Sequence, residues 1–215
     1  MWCITLSTQD DPSEMRYTFS SMIFTQQTQR AIDVAARCHA SHQRIGLDLP
    51  YIVHPYSVAL ITAQHEPDEE TFCAALLHDV IEDADGYPEE IMRKDFGERI
   101  TEIVVSLTEN KTATDSLEQL KQNWEWRKRG YLDKLRKAPR KALIVCAADS
   151  IHNLQSLIQL KRLHGDAFSG SFSASMDKKM WFYGEVLQTV RTLLDCPITT
   201  RLAHVYQEAC DVFKK

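Results

Sequence analysis

Apolar residues recur at helical spacing from about residue 23 to the end of the chain. Ala31, Ile32, Ala35 and His39, for example, fall on one face of a helix that spans roughly residues 23 to 41. The same periodicity predicts further helices at roughly residues 54–65, 69–83, 89–96, 98–107, 116–137, 139–160, 176–195 and 199–213. We therefore predict an all-α protein, a single helical bundle of about nine helices.

Proline and capping residues mark the starts of several helices. His54-Pro55 opens the second one, since proline suits the first helical turn, where its missing N–H would have had no helical partner. Asp68 is a suitable cap for the third. Residues 1–21 lack periodicity, so we predict a flexible or loosely docked leader there, followed by one domain over residues 22–215 that includes the C-terminal helices.

Composition and charge narrow the class of protein. The chain has 215 residues, with 25 Lys+Arg against 30 Asp+Glu and a formal net charge of −5, so it does not resemble a protein that binds nucleic acid through phosphate neutralisation. No apolar run approaches the ~18 residues of a membrane span, and the first residues fit neither a signal peptide nor a transit peptide. The six cysteines form no C-x-x-C pair. We predict a cytoplasmic protein with reduced cysteines and with neither nucleic acid nor membrane as a partner.

Ionisable residues lie where the pattern predicts protein core. His78 and Asp79 fall in the middle of the most apolar helix, Asp149 lies in a second apolar helix, and His54 lies at a helix start. A buried carboxylate is costly unless it is paired or bound to a metal ion, and a purely structural network of these groups would need many hydrogen-bond partners. Two imidazoles and two carboxylates suit Mn²⁺, Fe²⁺ or Zn²⁺ better than Ca²⁺. The sequence therefore predicts a metal site.

Further polar groups follow this set at a spacing of one helical turn. Glu82 and Asp83 come four residues after the His-Asp pair, and Asn153 comes four residues after Asp149, so each lies on the same helix face as its predecessor. A metal ion lowers the pKa of bound water, and a neighbouring carboxylate can take up the proton. This arrangement predicts a hydrolytic centre for a phosphate ester or anhydride, with Asn153 as a hydrogen-bonding group.

The order and spacing of His54, His78-Asp79 and Asp149 resemble the HD-domain metal-dependent phosphohydrolases. Longer words resemble the hydrolase half of the Rel/Spo alarmone enzymes and their stand-alone relatives, the small alarmone hydrolases. These words are P-Y-I-V-H-P at 50–55, A-A-L-L-H-D-V-I-E-D at 74–83, L-T-E-N-K at 107–111, A-D-S-I-H-N-L at 148–154 and W-F-Y at 181–183. The similarity covers roughly residues 30–195.

The resemblance implies a manganese-dependent hydrolase, or one that uses another divalent transition metal. It would remove pyrophosphate from the 3′ position of (p)ppGpp or (p)ppApp and leave GDP, GTP, ADP or ATP. In that family the residues that match the candidate set hold the metal ion. Here these are His54, His78, Asp79 and Asp149. The residues that match Glu82 and Asp83 serve the attacking water.

Three residues are candidates for substrate binding. The family match of Arg44 contacts the base, and the match of Asn153 lies in the nucleotide pocket. Lys111 is the third candidate, although it could instead offset the dipole at the end of the preceding helix. The chain departs from the family at Ile45 and Cys146, where basic residues are common, and both departures remove positive charge near a phosphorylated ligand.

Other interpretations stay open at this point. Other HD proteins cleave nucleoside monophosphates or related phosphoesters, and a regulatory module would bind a nucleotide without cleaving it, although the presence of Glu82 and Asp83 argues against the latter. The basic run at residues 127–129 is either a solvated helix face or the lining of a phosphate entrance, and the nearby Trp124 and Trp126 are expected to pack in the core. A homo-oligomer and a pairing with an alarmone synthetase are both compatible with the sequence.

Overall fold

The computed structural model describes residues 24–84, 86–109, 117–168, 172 and 174–214. The predicted leader at residues 1–21 and the candidate Lys111 lie outside these residues. Within them there is no β-strand, and an isolated antiparallel bridge joins Gln43 and Pro50. The prediction of an all-α fold is confirmed. None of the described helices is long and apolar enough to cross a membrane.

The described residues form ten helical segments, two pairs of which are separated by only one or two residues. The segments are α1 (Gln26–Cys38), α2 (Val53–Ala63), α3 (Glu69–Leu77), α4 (Val80–Asp83), α5 (Glu89–Leu107), α6 (Leu117–Gln122), α7 (Trp124–Leu135), α8 (Arg140–His164), α9 (Met176–Leu193) and α10 (Pro197–Phe213). The interrupted pairs are α3 with α4 and α6 with α7. The predicted number of about nine agrees with this arrangement.

Helix α8 runs through the centre of the bundle. It packs against α2, α3, α5, α9 and α10, and every residue from Ala142 to Ala148 is buried. A helix that is apolar all round is stable in water only when neighbours cover every side of it. Helix α3 is likewise buried from Thr71 to Leu77. His78, which follows α3, and Asp149, which lies in α8, are therefore held by two buried segments of the fold.

The helix predicted over residues 69–83 is interrupted between α3 and α4. Asp79 has φ −96° and ψ −5°, which departs from helical values. The backbone N–H of Asp83 still donates to the carbonyl of Asp79 at 3.0 Å, so the helical turn that carries Glu82 is retained. The break predicted between residues 96 and 98 is confirmed: Gly97 divides α5 with φ 80° and ψ 174°, a conformation that glycine adopts far more readily than other residues.

A tight turn between α1 and α2 positions Arg44. The backbone N–H of Arg44 donates to the carbonyl of Leu49 at 3.0 Å. Gly46 has φ 72°, and a Cβ atom at this position would lie 2.8 Å from Cδ2 of Leu160 in α8. The turn therefore depends on glycine both for its backbone conformation and for its close approach to the central helix.

Candidate metal centre

His78 offers one ring nitrogen toward two carboxylates. Its Nδ1 lies 2.8 Å from the carbonyl oxygen of Ala75, and since a carbonyl can only accept, Nδ1 carries the proton. The Nε2 atom is buried and has no hydrogen-bond partner among the described residues. It lies 3.2 Å from Oδ2 of Asp79 and 3.7 Å from Oδ1 of Asp149. This is the tautomer that a metal-binding histidine requires.

His54 reaches the same carboxylates from the first turn of α2. Its Nε2 lies 3.1 Å from Oδ1 of Asp149 and 3.6 Å from Oδ2 of Asp79. Its Nδ1 lies 2.7 Å from Nδ1 of His152 in α8, so one of these two nitrogens donates and the other accepts. Burial, together with the charges of His54 and Arg44, lowers the pKa of His152 to about 3. A neutral His152 can accept the proton of His54 Nδ1, which leaves Nε2 of His54 free to bind a metal ion.

The four predicted ligands lie together. Donor atoms of His54, His78 and Asp149 all lie within 4.8 Å of one another, and Asp79 lies beside both histidines. The hydroxyl of Tyr51 donates to Oδ2 of Asp79 at 2.6 Å, which fixes the orientation of that carboxylate. Both histidines are nearly inaccessible to solvent, at 1% and 5% exposure. The arrangement is a compact set of two imidazoles and two carboxylates.

The two predicted water-activating carboxylates occupy different positions. Glu82 lines the cavity that contains the four candidate ligands, and its Oε2 accepts a hydrogen bond from the backbone N–H of Glu109 at 2.9 Å. Asp83 is half-buried and is not among the residues that line this cavity. Consecutive residues of a helix point about 100° apart, so the two side chains diverge. Burial and the charge of Asp79 raise the pKa of Tyr51, and the charge of Asp83 adds to this effect.

The cavity beside the four ligands has a volume of about 140 Å³. Aromatic side chains from α7 and α9 form one wall, and Asn153 lies on another. The amide of Asn153 donates to Oδ1 of Asp149 at 2.6 Å and accepts from Nη2 of Arg44 at 3.1 Å. Nη2 of Arg44 also lies 3.1 Å from Oγ of Ser156, and its guanidinium carbon is 5.6 Å from the ring centroid of Tyr51. Hydrogen bonds therefore connect Arg44 to Asn153, and Asn153 to the candidate ligand Asp149.

Comparison with known proteins decides the family. A model of the HD domain family matches residues 31–168. The chain belongs to the HD domain family. The match contains all four residues of the cluster and both cavity-facing partners, Glu82 and Asn153. The resemblance found in the sequence words is thereby confirmed at the level of the family.

Curated relatives of this HD domain are longer proteins. GTP pyrophosphokinase of Streptomyces coelicolor is 35% identical over 136 residues, which are 63% of this chain and 15% of that protein. Guanosine-3′,5′-bis(diphosphate) 3′-pyrophosphohydrolase of Aquifex aeolicus is 43% identical over 83 residues, which are 39% of this chain and 12% of that protein. The chain thus spans 12 to 15% of the length of these two relatives.

A solved structure shares the fold. The structure of a metazoan ortholog of SpoT that hydrolyses ppGpp superimposes with a TM-score of 0.68 at 23% sequence identity, and the alignment covers 86% of this chain and 96% of that one. At this identity the match shows a common fold.

His54, His78, Asp79 and Asp149 form what we call the HD cluster. The donor atoms of the HD cluster fit a divalent metal ion. Burial favours the neutral form of Asp149, but the hydrogen bonds and charges of His54 and His78 outweigh it and hold the pKa of Asp149 well below its usual range. Burial favours neutral His78 as well, yet Asp79 and Asp149 raise the pKa of His78 to about 9. The carboxylates thus favour a positive charge at this point, which a divalent cation supplies. HD domains are divalent-metal-dependent, and His54, His78 and Asp149 form a candidate site for such an ion.

Sequence reasoning missed Glu109 as part of the site. Its side chain is only 6% exposed, its Oε2 lies 2.5 Å from Nη1 of Arg127, and its other oxygen pairs with Lys128. Its backbone N–H donates to Glu82. Glu109 therefore connects α7 to the carboxylate on α4. Its place inside the word L-T-E-N-K was a signal for attention, but nothing in the pattern showed that its carboxylate is buried.

The three residues of the basic run at 127–129 have different environments, so neither predicted description, a solvated helix face or the lining of a phosphate entrance, applies to the whole run. Arg127 is buried against Glu109, and Lys128 lines the cavity. Arg129 is 62% exposed and pairs with Glu125 at the surface. Neighbouring positions on one helix point in different directions, so a single description of the run could not hold for all three residues.

The two tryptophans of α7 also differ. Trp124 is 4% exposed, as a core residue should be, whereas Trp126 is 72% exposed. The expectation that Trp126 packs in the core is therefore wrong, because residues two apart on a helix lie on opposite sides of it.

The two departures from the family add no charge to the cavity. Ile45 is 53% exposed and Cys146 is 2% exposed. Burial raises the pKa of the Cys146 thiol to about 12, so this side chain is neutral, and its sulfur accepts a hydrogen bond from the hydroxyl of Tyr131 at 3.3 Å. The positive charge near the cavity therefore has to come from other positions.

Proposed function

We propose that this protein is a metal-dependent hydrolase that releases pyrophosphate from the 3′ position of (p)ppGpp or (p)ppApp and leaves GDP, GTP, ADP or ATP. The observation that carries the proposal is the buried cluster of His54, His78, Asp79 and Asp149 with Glu82 in the same cavity. Relatives named as guanosine-3′,5′-bis(diphosphate) 3′-pyrophosphohydrolases support it.

Mn²⁺ is the cofactor that we propose, and the four-residue cluster would hold it. A bound divalent ion supplies Lewis-acid stabilisation of phosphate oxygens and makes water more acidic. His152 keeps His54 in the required tautomer through the contact between their Nδ1 atoms. Tyr51 fixes Asp79 through its hydroxyl. These neighbours orient the ligands, so that little rearrangement accompanies binding of the ion.

Glu82 is the proposed acceptor of the proton from the attacking water. The water oxygen bonds to the phosphorus that is attached to O3′, the bond between that phosphorus and O3′ breaks, and O3′ takes up a proton. The N–H of Glu109 donates to one carboxylate oxygen of Glu82 and so orients this carboxylate in the cavity. Asp83, on the next position of α4, stays the second carboxylate that we propose to serve the water, although its side chain is not among those that line the cavity.

The base end of the nucleotide is assigned to Arg44 and Asn153. A planar guanidinium can stack on a purine ring. Hydrogen bonds to Asn153 and Ser156 already hold the guanidinium of Arg44 in place. Its position supports binding of a purine beside the HD cluster. Lys111 is kept as a third proposed contact to the substrate.

The setting of the enzyme is proposed as well. We infer that residues 22–215 act as one hydrolase domain in the cytoplasm, after a leader at residues 1–21, with a nucleotide rather than nucleic acid or membrane as its partner. Assembly into a homo-oligomer and pairing with an alarmone synthetase are hypotheses that analytical ultracentrifugation and co-purification test.

The assay that tests the proposal compares three kinds of substrate. Metal-stripped protein is incubated with ppGpp, with ppApp and with AMP or GMP, each with and without added Mn²⁺, and the products are separated by ion-exchange chromatography. Pyrophosphate release from ppGpp or ppApp that depends on Mn²⁺ supports the proposal and identifies the preferred base. Orthophosphate release from a monophosphate alone would favour another HD phosphohydrolase. Tight alarmone binding without any product would favour a regulator.

A further inference from the structure

The peptide unit between Thr108 and Glu109 lies at the end of α5, beside the cavity. Thr108 caps α5 with an extended backbone, at φ −75° and ψ 128°, so the chain leaves the helix at this residue. The N–H of Glu109 then donates to Oε2 of Glu82 at 2.9 Å instead of to a helical carbonyl. The orientation of the Glu82 carboxylate therefore depends on how this one peptide unit is held.

Lys134 of α7 holds the opposite edge of the same peptide unit. Its Nζ donates to the carbonyl oxygen of Thr108 at 2.8 Å and to that of Val105 at 3.2 Å. The peptide bond is trans, so the carbonyl oxygen of Thr108 and the N–H of Glu109 point in opposite directions from one rigid plane. Lys134 on one edge and Glu82 on the other together fix the rotation of this plane.

The side chain of Glu109 attaches the peptide unit to α7 a second time. Its Oε2 lies 2.5 Å from Nη1 of Arg127, and its other oxygen pairs with Lys128. Arg127 and Lys134 are seven positions apart, which is about two helical turns, so they lie on the same face of α7. Helix α7 packs against α5. It thus holds this peptide unit through both the backbone and a side chain.

The contacts of Lys134 go beyond the capping of a helix end. A lysine near the C-terminus of a helix commonly binds the last carbonyl groups, and the bond to Val105 is of this kind. The shorter bond goes to Thr108, whose carbonyl belongs to the peptide unit that donates to Glu82. A charged donor on the carbonyl oxygen polarises the amide and makes its N–H a stronger donor. Lys134 therefore acts on Glu82 through one peptide unit.

We propose that Lys134 is a positioning residue for Glu82. It does not line the cavity, and it acts by aiming the N–H of Glu109 at the Glu82 carboxylate. The proposal rests on the proposed function, since it takes Glu82 to accept the proton of the attacking water. A small displacement of a reacting group lowers the rate strongly, so loss of Lys134 should lower turnover while the metal ligands stay in place.

Turnover in a double-mutant cycle with Glu82→Gln is the first test. Lys134→Met keeps the apolar stem of the side chain and removes its charge and its donors. It should leave the Mn²⁺ content unchanged and lower kcat for pyrophosphate release from ppGpp about 10-fold or more. In the Glu82→Gln background the loss should be less than about twofold, because the proton acceptor is already absent. Equal losses in both backgrounds would overturn the proposal, since they would show a structural effect that does not act through Glu82.

Amide hydrogen exchange at residue 109 tests the same contact without any substrate. NMR follows the N–H of Glu109 in Mg²⁺-loaded protein, because Mn²⁺ is paramagnetic and broadens the signals. A hydrogen bond to a charged group corresponds to about 10-fold or more in an opening equilibrium. We expect this N–H to exchange faster by about that factor in Lys134→Met. An exchange rate that Lys134→Met leaves unchanged would overturn the proposal.

Three further variants serve as controls. Lys137→Met is the matched control, because Lys137 is an exposed lysine one turn beyond Lys134, and it should stay within about twofold of the wild type in both tests. Lys134→Arg keeps a charged donor and should recover most of the lost turnover. Thermal unfolding establishes that each variant folds. Lys134→Gln, which also removes the charge, takes the place of Lys134→Met if the latter does not fold.

The outcome is separable from that of the proposed function. If ppGpp is not hydrolysed but the exchange of the Glu109 N–H depends on Lys134, the positioning of Glu82 stands and the proposed activity falls. If ppGpp is hydrolysed and Lys134→Met changes neither kcat nor the exchange rate, the activity stands and the positioning role falls.

Discussion

Replacing Arg127 by methionine removes one of the two cations that neutralise a buried carboxylate. Arg127 and Glu109 are 7% and 6% exposed, and their charged atoms lie 2.5 Å apart. Removal of one partner from a buried ion pair typically costs about 3–5 kcal/mol, because the remaining charge stays buried without compensation. Lys128 also pairs with Glu109 and keeps part of the compensation, so we expect a loss somewhat below this range, about 2–3 kcal/mol in the free energy of unfolding.

Urea denaturation of the variant and of a matched control measures this cost. The control is Arg129→Met, since Arg129 is 62% exposed and pairs with Glu125 at the surface. Exposed pairs of this kind contribute about 0.5 kcal/mol or less. The contrast between two arginines of one helix, two positions apart, isolates burial as the cause of the difference.

A double-mutant cycle with Glu109→Gln separates the ion pair from general packing. When Glu109 is neutral, Arg127 is a buried charge with less compensation, so its replacement by methionine should then cost little or even stabilise the protein. A coupling energy of about 2 kcal/mol or more is expected. A loss below about 0.5 kcal/mol in the single variant, or strictly additive effects in the cycle, would refute the reasoning.

Three further predictions follow from the site and its supports. Tyr51→Phe removes the hydroxyl that fixes Asp79 and should weaken divalent-metal binding about 10- to 100-fold, measured by titration of the stripped protein; unchanged affinity would exclude the orienting role. Gly46→Ala should lower the free energy of unfolding by about 1–3 kcal/mol, because alanine is strained at φ 72° and would contact Leu160. Gly130→Ala, in a helix with open space at that position, should instead stabilise by about 0.5–1 kcal/mol; urea denaturation of both variants decides, and equal effects would contradict the argument. Removal of the metal by a chelator should lower the melting temperature by roughly 5–10 °C, since an ion at 100 times its dissociation constant contributes about 2.7 kcal/mol; a melting temperature that does not respond would contradict metal binding by the folded state.

The helices and the ligand cluster could be predicted because their signals are local. Apolar periodicity located α1, α2 and α8 to within a few residues, and ionisable groups inside apolar helices drew attention to His78 and Asp149. The cost of a buried charge is a property of the side chain, so its position in an apolar pattern already predicts that it has a partner.

The remaining features depend on contacts that no local pattern records. Asp79 interrupts the predicted helix, and a turn distant in sequence brings Tyr51 to its carboxylate. Arg127 and Arg129 are the same residue type in the same stretch of sequence. Only Arg127 is buried, and it pairs with Glu109, 18 positions before it in the chain. These are consequences of tertiary packing, which overrides local preference.

The measurement that tests the central claim most directly follows turnover and bound metal in the same samples. Wild type, His78→Ala and Glu82→Gln are loaded with Mn²⁺ and desalted, their metal content is determined, and release of pyrophosphate from ppGpp is followed. We expect His78→Ala to lose both the metal and the activity, and Glu82→Gln to keep the metal and to lose turnover by about 100-fold or more. A Glu82→Gln variant with wild-type turnover, or a His78→Ala variant that still releases pyrophosphate at the wild-type rate, would contradict this expectation.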